Sequence, residues 1–121
     1  MLATTRRRRA LAAWLQARPA PGVTRAVYAA LADKDSRAVV EALHGQIGHW
    51  HLAGLSGPRG QSAAALAERV AGTPAAQGEQ AEAVAQALAQ ALAQSNAGDR
   101  VLVFGSFHAV AEAMQALHSV H

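Results

Sequence analysis

Three short strand-like runs, Ala26–Leu31, Ile47–Leu52 and Val101–Phe104, each hand over to a segment with helical spacing, and this alternation constrains the chain more than any other feature. The runs contain Val, Ile, Tyr, Trp and Phe, which fit a pleated and packed surface. Between them, apolar residues recur every three or four positions. Strands separated by helices pair in parallel through right-handed crossovers, and the sheet they form needs cover on both faces. The spacing therefore predicts an α/β domain with a largely parallel sheet flanked by helices.

The helices can be placed individually. Leu11, Trp14 and Leu15 mark a first one, which Pro19-Ala-Pro21-Gly22 ends. Asp33-Lys34-Asp35-Ser36 offers N-cap side chains to a second, with Val39, Val40 and Leu43 on its face and Gly45 suited to its C-cap. Gly54–Gly60 predicts a loop, Ser62 a cap, and Ala63, Leu66, Ala67 and Val70 the buried stripe of a third helix. Gly72–Gly78 predicts a polar connection in which any strand is short. Helical spacing then holds from Ala81 through Val84, Leu88 and Ala91 to Ser95, with Gln86, Gln90 and Gln94 opposite. Asn96-Ala-Gly98-Asp99 stops it, and a last helix is expected to bury Phe107, Val110, Met114 and Leu117.

Composition excludes several function classes. A chain of 121 residues has room for one domain and one core. It has no cysteine, hence no disulfide and no thiolate metal site. Neither a secretory apolar segment nor an uninterrupted apolar run of roughly 18 residues occurs, which predicts a cytoplasmic chain without a membrane span. The net charge of +3 is uneven: four of the 11 basic residues are Arg6 to Arg9, and the remaining seven face eight acidic ones, or −1. Without aromatic residues interleaved among the basic ones, a nucleic-acid platform is not expected. His49 and His51 share one face of a strand, but no carboxylate stands near them in sequence, so no metal site is expected either. The chain also lacks a Gly-rich loop ending in Lys-Ser/Thr, paired carboxylates and a Gly-x-Ser-x-Gly elbow, and so lacks a complete active site. No catalytic residue is assigned.

Ligands of open parallel sheets bind beyond the carboxyl ends of the strands, where helix N-termini present free N–H groups. Three segments fall there: Asp33-Lys34-Asp35, Gly57-Pro58-Arg59-Gly60 and Gly105-Ser106-Phe107-His108. The rim so defined holds Lys34, which is the only lysine, together with Arg59, the Ser106 hydroxyl and a helix N-terminus, a set suited to a carboxylate or phosphate. Plainer roles compete. Ser106 equally suits a simple N-cap, Lys34 a solvated turn and Arg59 an exposed loop.

Leu31-Ala-Asp-Lys-Asp35, Trp50–Leu55 leading into Ser56-Gly-Pro-Arg-Gly60, and Val101-Leu-Val-Phe-Gly-Ser-Phe-His108 followed by Val110 resemble, in order and spacing, one known domain. It is the C-terminal domain of the bacterial bifunctional dihydrofolate synthase/folylpolyglutamate synthases, in the Mur ligase superfamily. The similarity covers roughly residues 10–118. It implies a Rossmann-like sheet and an ATP-dependent amide ligase, in which a substrate carboxylate is activated as an acyl phosphate and attacked by the amino group of glutamate. The products would be dihydrofolate or a longer polyglutamyl folate. The resemblance further implies that ATP and magnesium are held by a larger N-terminal P-loop ATPase domain, with this domain closing over them. Lys34 and Ser106 match positions that contact the carboxylate of the incoming amino acid, and His108 joins this glutamate-binding set. Asp33, Arg59 and Phe107 are the further rim contacts. Gly105 would let the backbone come close to the ligand.

The N-terminus departs from that pattern. Where the family carries a strand and an Asp-Val-Ala/Gly-His-Asn-Pro motif that contacts ATP, this chain has Met1–Arg9. With one choice of codons, read in another frame, those residues give Asp-Val-Gly-His-Asn-Pro-Gln-Ala-Ala. Residues 1–9 are therefore expected to be an aberrant basic segment and 10–121 the ligase domain, a fragment truncated at its N-terminal strand. Such a fragment would bind no ATP and have no ligase activity alone. It would also leave a sheet edge unpaired, which favours marginal stability or self-association. The alternative is a freestanding module binding a small anion such as glutamate or a nucleotide.

Overall fold

The computed structural model describes the backbone of residues 2–120 and the side-chain surroundings of residues 9–106 and 108–117. Strands β1 (Thr24–Tyr28), β2 (His49–Ala53), β3 (Glu79–Ala81) and β4 (Arg100–Phe104) form one sheet in the order β3-β2-β1-β4, parallel throughout. Helices α1 (Leu2–Ala17), α2 (Ser36–Ala42) and α3 (Ala63–Arg69) cover one face, and α4 (Val84–Gln94) and α5 (Phe107–Val120) the other. The α/β class expected from the alternation is the one observed. From β1 the chain steps outward to β2 and β3, and α4 then carries it back to β4 on the far side of β1.

The caps are those the sequence offers. The Asp35 carboxylate accepts from the Ala38 N–H at 3.2 Å and the Ser62 hydroxyl from the Ala65 N–H at 3.1 Å. α4 has no capping side chain of its own. Instead Glu112, on α5, accepts from the Ala85 N–H at 3.0 Å, so a neighbouring helix satisfies one of the donors that a helix start leaves free.

Boundaries differ where pairing overrides propensity. β1 spans Thr24–Tyr28 rather than Ala26–Leu31, because Thr24 and Arg25 pair with Arg100 and Val101. Beyond Tyr28 the carbonyls of Ala30 and Leu31 are taken by the Gln61 side chain instead of a strand. The connection Gly72–Gly78 contains a 3₁₀ turn, Pro74–Gln77, with β3 directly after it. Ala81, expected to open the fourth helix, instead pairs with Ala53. α1 runs from Leu2 through the arginine run to Ala17; Arg9 is exposed, and the side chains of Arg6–Arg8 lie outside the described residues.

The sheet has two unlike cores. Towards α1–α3, Tyr28 packs 4.9 Å from Phe104 and 6.1 Å from Trp50, ring centre to ring centre. Such pairs add about 0.5–1.5 kcal/mol each beyond simple burial. Towards α4 and α5 the core is mainly alanine: Ala29, Ala53, Ala87, Ala91, Ala109 and Ala113 let helices and sheet approach closely. This overturns the expected face of α5. Ala109 and Ala113 are buried, while Val110, Met114 (64% exposed) and Leu117 point outward. Trp14 likewise leaves the α1 stripe and stacks on the guanidinium groups of Arg18 and Arg100, 5.0 and 5.5 Å from its ring centre. Among the described strands β4 pairs only with β1, and all five of its residues are half-exposed. No described helix is long and apolar enough to cross a membrane.

Candidate functional site

Because the strands are parallel, the segments following β1, β2 and β4 emerge on one rim. α2 leaves β1 for one face of the sheet and α5 leaves β4 for the other, so the chain diverges between these two adjacent strands. Open α/β sheets take their ligands in the crevice at such a switch point. Its walls are residues 29–35 on one side and Gly105–Ser106 on the other. Gly105 has φ +120°, and a Cβ there would stand 2.1 Å from the Ala29 carbonyl oxygen. Only glycine lets the ends of β1 and β4 meet this closely.

Lys34 is half-buried at the tip of the β1–α2 turn, and its ammonium has neither a hydrogen bond nor an ion pair among the described residues. The Ser106 hydroxyl accepts from the Ala109 N–H at 3.0 Å and so caps α5. It has no acceptor for its own proton among the described residues, and the first turn of α5 carries no acidic residue. The capping role and a donor role towards an anion are thus compatible, and the helix end adds a partial positive charge. His108 is exposed on that same first turn; the Phe107 side chain lies outside the described residues. Asp33 and Arg59, both exposed, meet each other: the Arg59 guanidinium donates to Asp33 and holds its carboxyl below the usual range. The Arg59 carbonyl accepts from the Ala32 N–H at 2.8 Å, which joins the loop after β2 to the turn carrying Lys34.

Gln61 was not singled out by the sequence. Its Nε2 donates to the carbonyl oxygens of Ala30, at 3.0 Å, and Leu31, at 3.4 Å. A glutamine following Gly-Pro-Arg-Gly looks like any polar loop residue, so no local signal could have marked it.

At the amino ends of the strands the polar groups are tied to one another. Arg25, on β1, donates to the side-chain and main-chain oxygens of Gln94 at 3.2 and 3.1 Å and lies 3.8 Å from Asp99. The backbone N–H groups of Asn96 and Val23 hold the Asp99 carboxyl below its usual range. Gln94 donates in turn to Glu79. The paired histidines are split: His49 is exposed, whereas His51 is 1% exposed with Nδ1 3.4 Å from Glu79, and burial pushes its imidazole pKa down. Among the described residues no group of three or more His, Asp or Glu could hold a metal ion.

The carboxyl rim of this parallel α/β domain thus carries Lys34, the Ser106 hydroxyl and the N-terminus of α5. The chain matches the glutamate ligase domain of the Mur ligases over residues 3–107, and it belongs to that family. It is 37% identical over 103 residues to the dihydrofolate synthase/folylpolyglutamate synthase of Escherichia coli, covering 85% of this chain and 23% of that one. The same Escherichia coli enzyme, solved with DHPP and ADP, superposes with a TM-score of 0.83 at 35% identity, over 93% of this chain and 26% of that one. A bifunctional folylpolyglutamate synthase/dihydrofolate synthase with Mn, AMPPNP and L-glutamate bound gives a TM-score of 0.81 at 39% identity, over 92% and 26%. These homologues are amide-forming ligases, and this chain spans about a quarter of their length.

Proposed function

We infer that this chain is the glutamate-handling part of a folate ligase. In that reading the carboxyl rim between β1 and β4 receives L-glutamate, Lys34 pairs with a glutamate carboxylate, and Ser106 with the α5 N-terminus donates to it. The amino group of glutamate then attacks an acyl phosphate of dihydropteroate or of a polyglutamyl folate. ATP and magnesium would be held by a P-loop ATPase domain acting with this one, because the described residues offer neither a phosphate loop nor a metal cluster. The observation that supports the reading is that Lys34, whose ammonium makes no hydrogen bond or ion pair among the described residues, and Ser106, which caps α5, both follow strands on the same carboxyl rim, in a fold shared with a relative solved with L-glutamate. By itself the chain has no ligase activity, remains in the cytoplasm and self-associates through the free edge of β4.

Calorimetry with L-glutamate tests the reading. The wild-type chain binds, and Lys34→Ala and Ser106→Ala each weaken binding, Lys34→Ala by roughly tenfold, or about 1.4 kcal/mol. Equal affinity in both variants removes the proposed site. Binding that persists without any ligase activity when an ATPase domain is added would instead favour a freestanding anion-binding module.

A further inference from the structure

The turn that carries Lys34 belongs to no helix or strand, yet its geometry is set from outside. Three links tie it to the loop after β2: the Gln61 amide on the carbonyls of Ala30 and Leu31, the Ala32 N–H on the Arg59 carbonyl, and the Arg59–Asp33 ion pair. The ion pair is exposed at both ends and therefore weak in water. Gln61 is buried, and its bond to Ala30 lies away from competing solvent, with the longer bond to Leu31 partly so. The orientation of its amide follows from its surroundings, since both neighbours are carbonyl oxygens and can only accept. Its own Oε1 is buried without a partner among the described residues, a cost that an apolar side chain at this position would not carry. The loop is itself held shut behind Gln61. Leu55 N–H donates to the Gln61 carbonyl at 3.0 Å, and a Cβ on Gly60 would stand 2.0 Å from the Leu55 carbonyl oxygen.

We propose that Gln61 is a positioning residue for the glutamate site: its side-chain amide latches the β1–α2 turn to the β2–α3 loop and so fixes where the Lys34 ammonium stands. The effect on affinity rests on the assignment of Lys34 to glutamate; the latch does not. With the latch made, the turn is ordered before ligand arrives, and binding does not have to supply that ordering.

Amide hydrogen exchange on the whole chain separates the two statements. In the wild type the Ala32 amide is protected although it lies outside regular structure, and an unprotected Ala32 overturns the proposal without any variant. Gln61→Met keeps the length and drops the donor. It removes both donated bonds and should speed exchange at Ala32 by roughly tenfold to a hundredfold, while Val27 and Leu52 in the sheet exchange as before. Gln61→Glu keeps the shape, turns an oxygen towards the two carbonyls, and should act more strongly. In both variants glutamate affinity, measured well below the thermal midpoint, falls severalfold; the midpoint falls too, because the Ala30 carbonyl is left without its donor, but a merely structural residue would move the midpoint and leave the affinity of the folded protein alone. Unchanged exchange at Ala32 overturns the latch, and faster exchange with unchanged affinity overturns the positioning role. Faster exchange in a protein whose wild type binds no glutamate leaves the latch standing and removes the glutamate reading.

Discussion

The two ends of the sheet treat charge in opposite ways. At the amino ends, Arg25, Gln94, Glu79 and Asp99 engage one another, and Arg100 donates to Thr24 at 3.0 and 3.2 Å and to the Arg18 carbonyl. At the carboxyl ends the Lys34 ammonium has no hydrogen bond or ion pair among the described residues, although its charge acts on neighbouring Asp33; Ser106 has a proton to give, and α5 opens without an acidic side chain. The first arrangement spends its polar groups on the fold, and in the second Lys34 and the Ser106 proton are not so spent among the described residues. The carboxyl rim also holds spent groups, Asp33 with Arg59 and Gln61 with the carbonyls of Ala30 and Leu31, so the contrast rests on Lys34 and Ser106.

The comparison can be broken by substitution. The largest effect is expected for Gly105→Val, which places a branched side chain against the Ala29 carbonyl at a φ of +120°. A loss of roughly 4 kcal/mol or more, read as a collapse of the urea midpoint, should unfold the rim together with the sheet. Next comes a paired test. Arg25→Ala strips a buried residue of its bonds to Gln94 and should cost about 2 kcal/mol while leaving glutamate affinity unchanged in the folded protein. Lys34→Ala should do the reverse, moving stability by less than about 0.5 kcal/mol and reducing the affinity. If both variants change the same quantity, the two ends are not functionally distinct.

Ser106→Ala ranks lower, because it removes the α5 cap at a cost of about 1 kcal/mol as well as a ligand donor, so midpoint and affinity should fall together. The smallest effect concerns His51, whose pKa burial lowers from its ordinary 6.5. A depressed pKa means that the neutral form is the one the fold favours. The stability involved is complete above pH 6.5 and is lost as the pH falls below it towards the folded-state value. Urea midpoints should drop between about pH 7.5 and pH 5.5, and His51→Leu should flatten that slope.

Much of this was legible in the chain. Ala26-Val27-Tyr28 and Val101–Phe104 announce strands because β-branched and aromatic residues gather there. Gly105-Ser106 announces a close turn and a cap because both tasks need those residue types. The face of α5 was misread because the pattern favours bulky residues for burial, whereas close packing against α4 admits only Ala109 and Ala113. β3 was nearly invisible because a strand of three residues, Glu79–Ala81, has too little sequence to show a period. The network of Arg25 with Gln94 joins positions 69 apart, and that of Arg100 with Thr24 joins positions 76 apart, so neither leaves a local trace.

The sequence by itself determined the class of fold, three of its strands and the caps and turn glycines that follow them, since periodicity, caps and glycine requirements act over a few neighbouring positions. Only the tertiary structure decided which residues of the carboxyl rim are spent and which are not. Asp33 with Arg59 and the Gln61 latch are contacts between segments 26 to 31 positions apart. Contacts of that range exist only once the parallel sheet has brought the loops together, and so no short stretch of sequence can specify them.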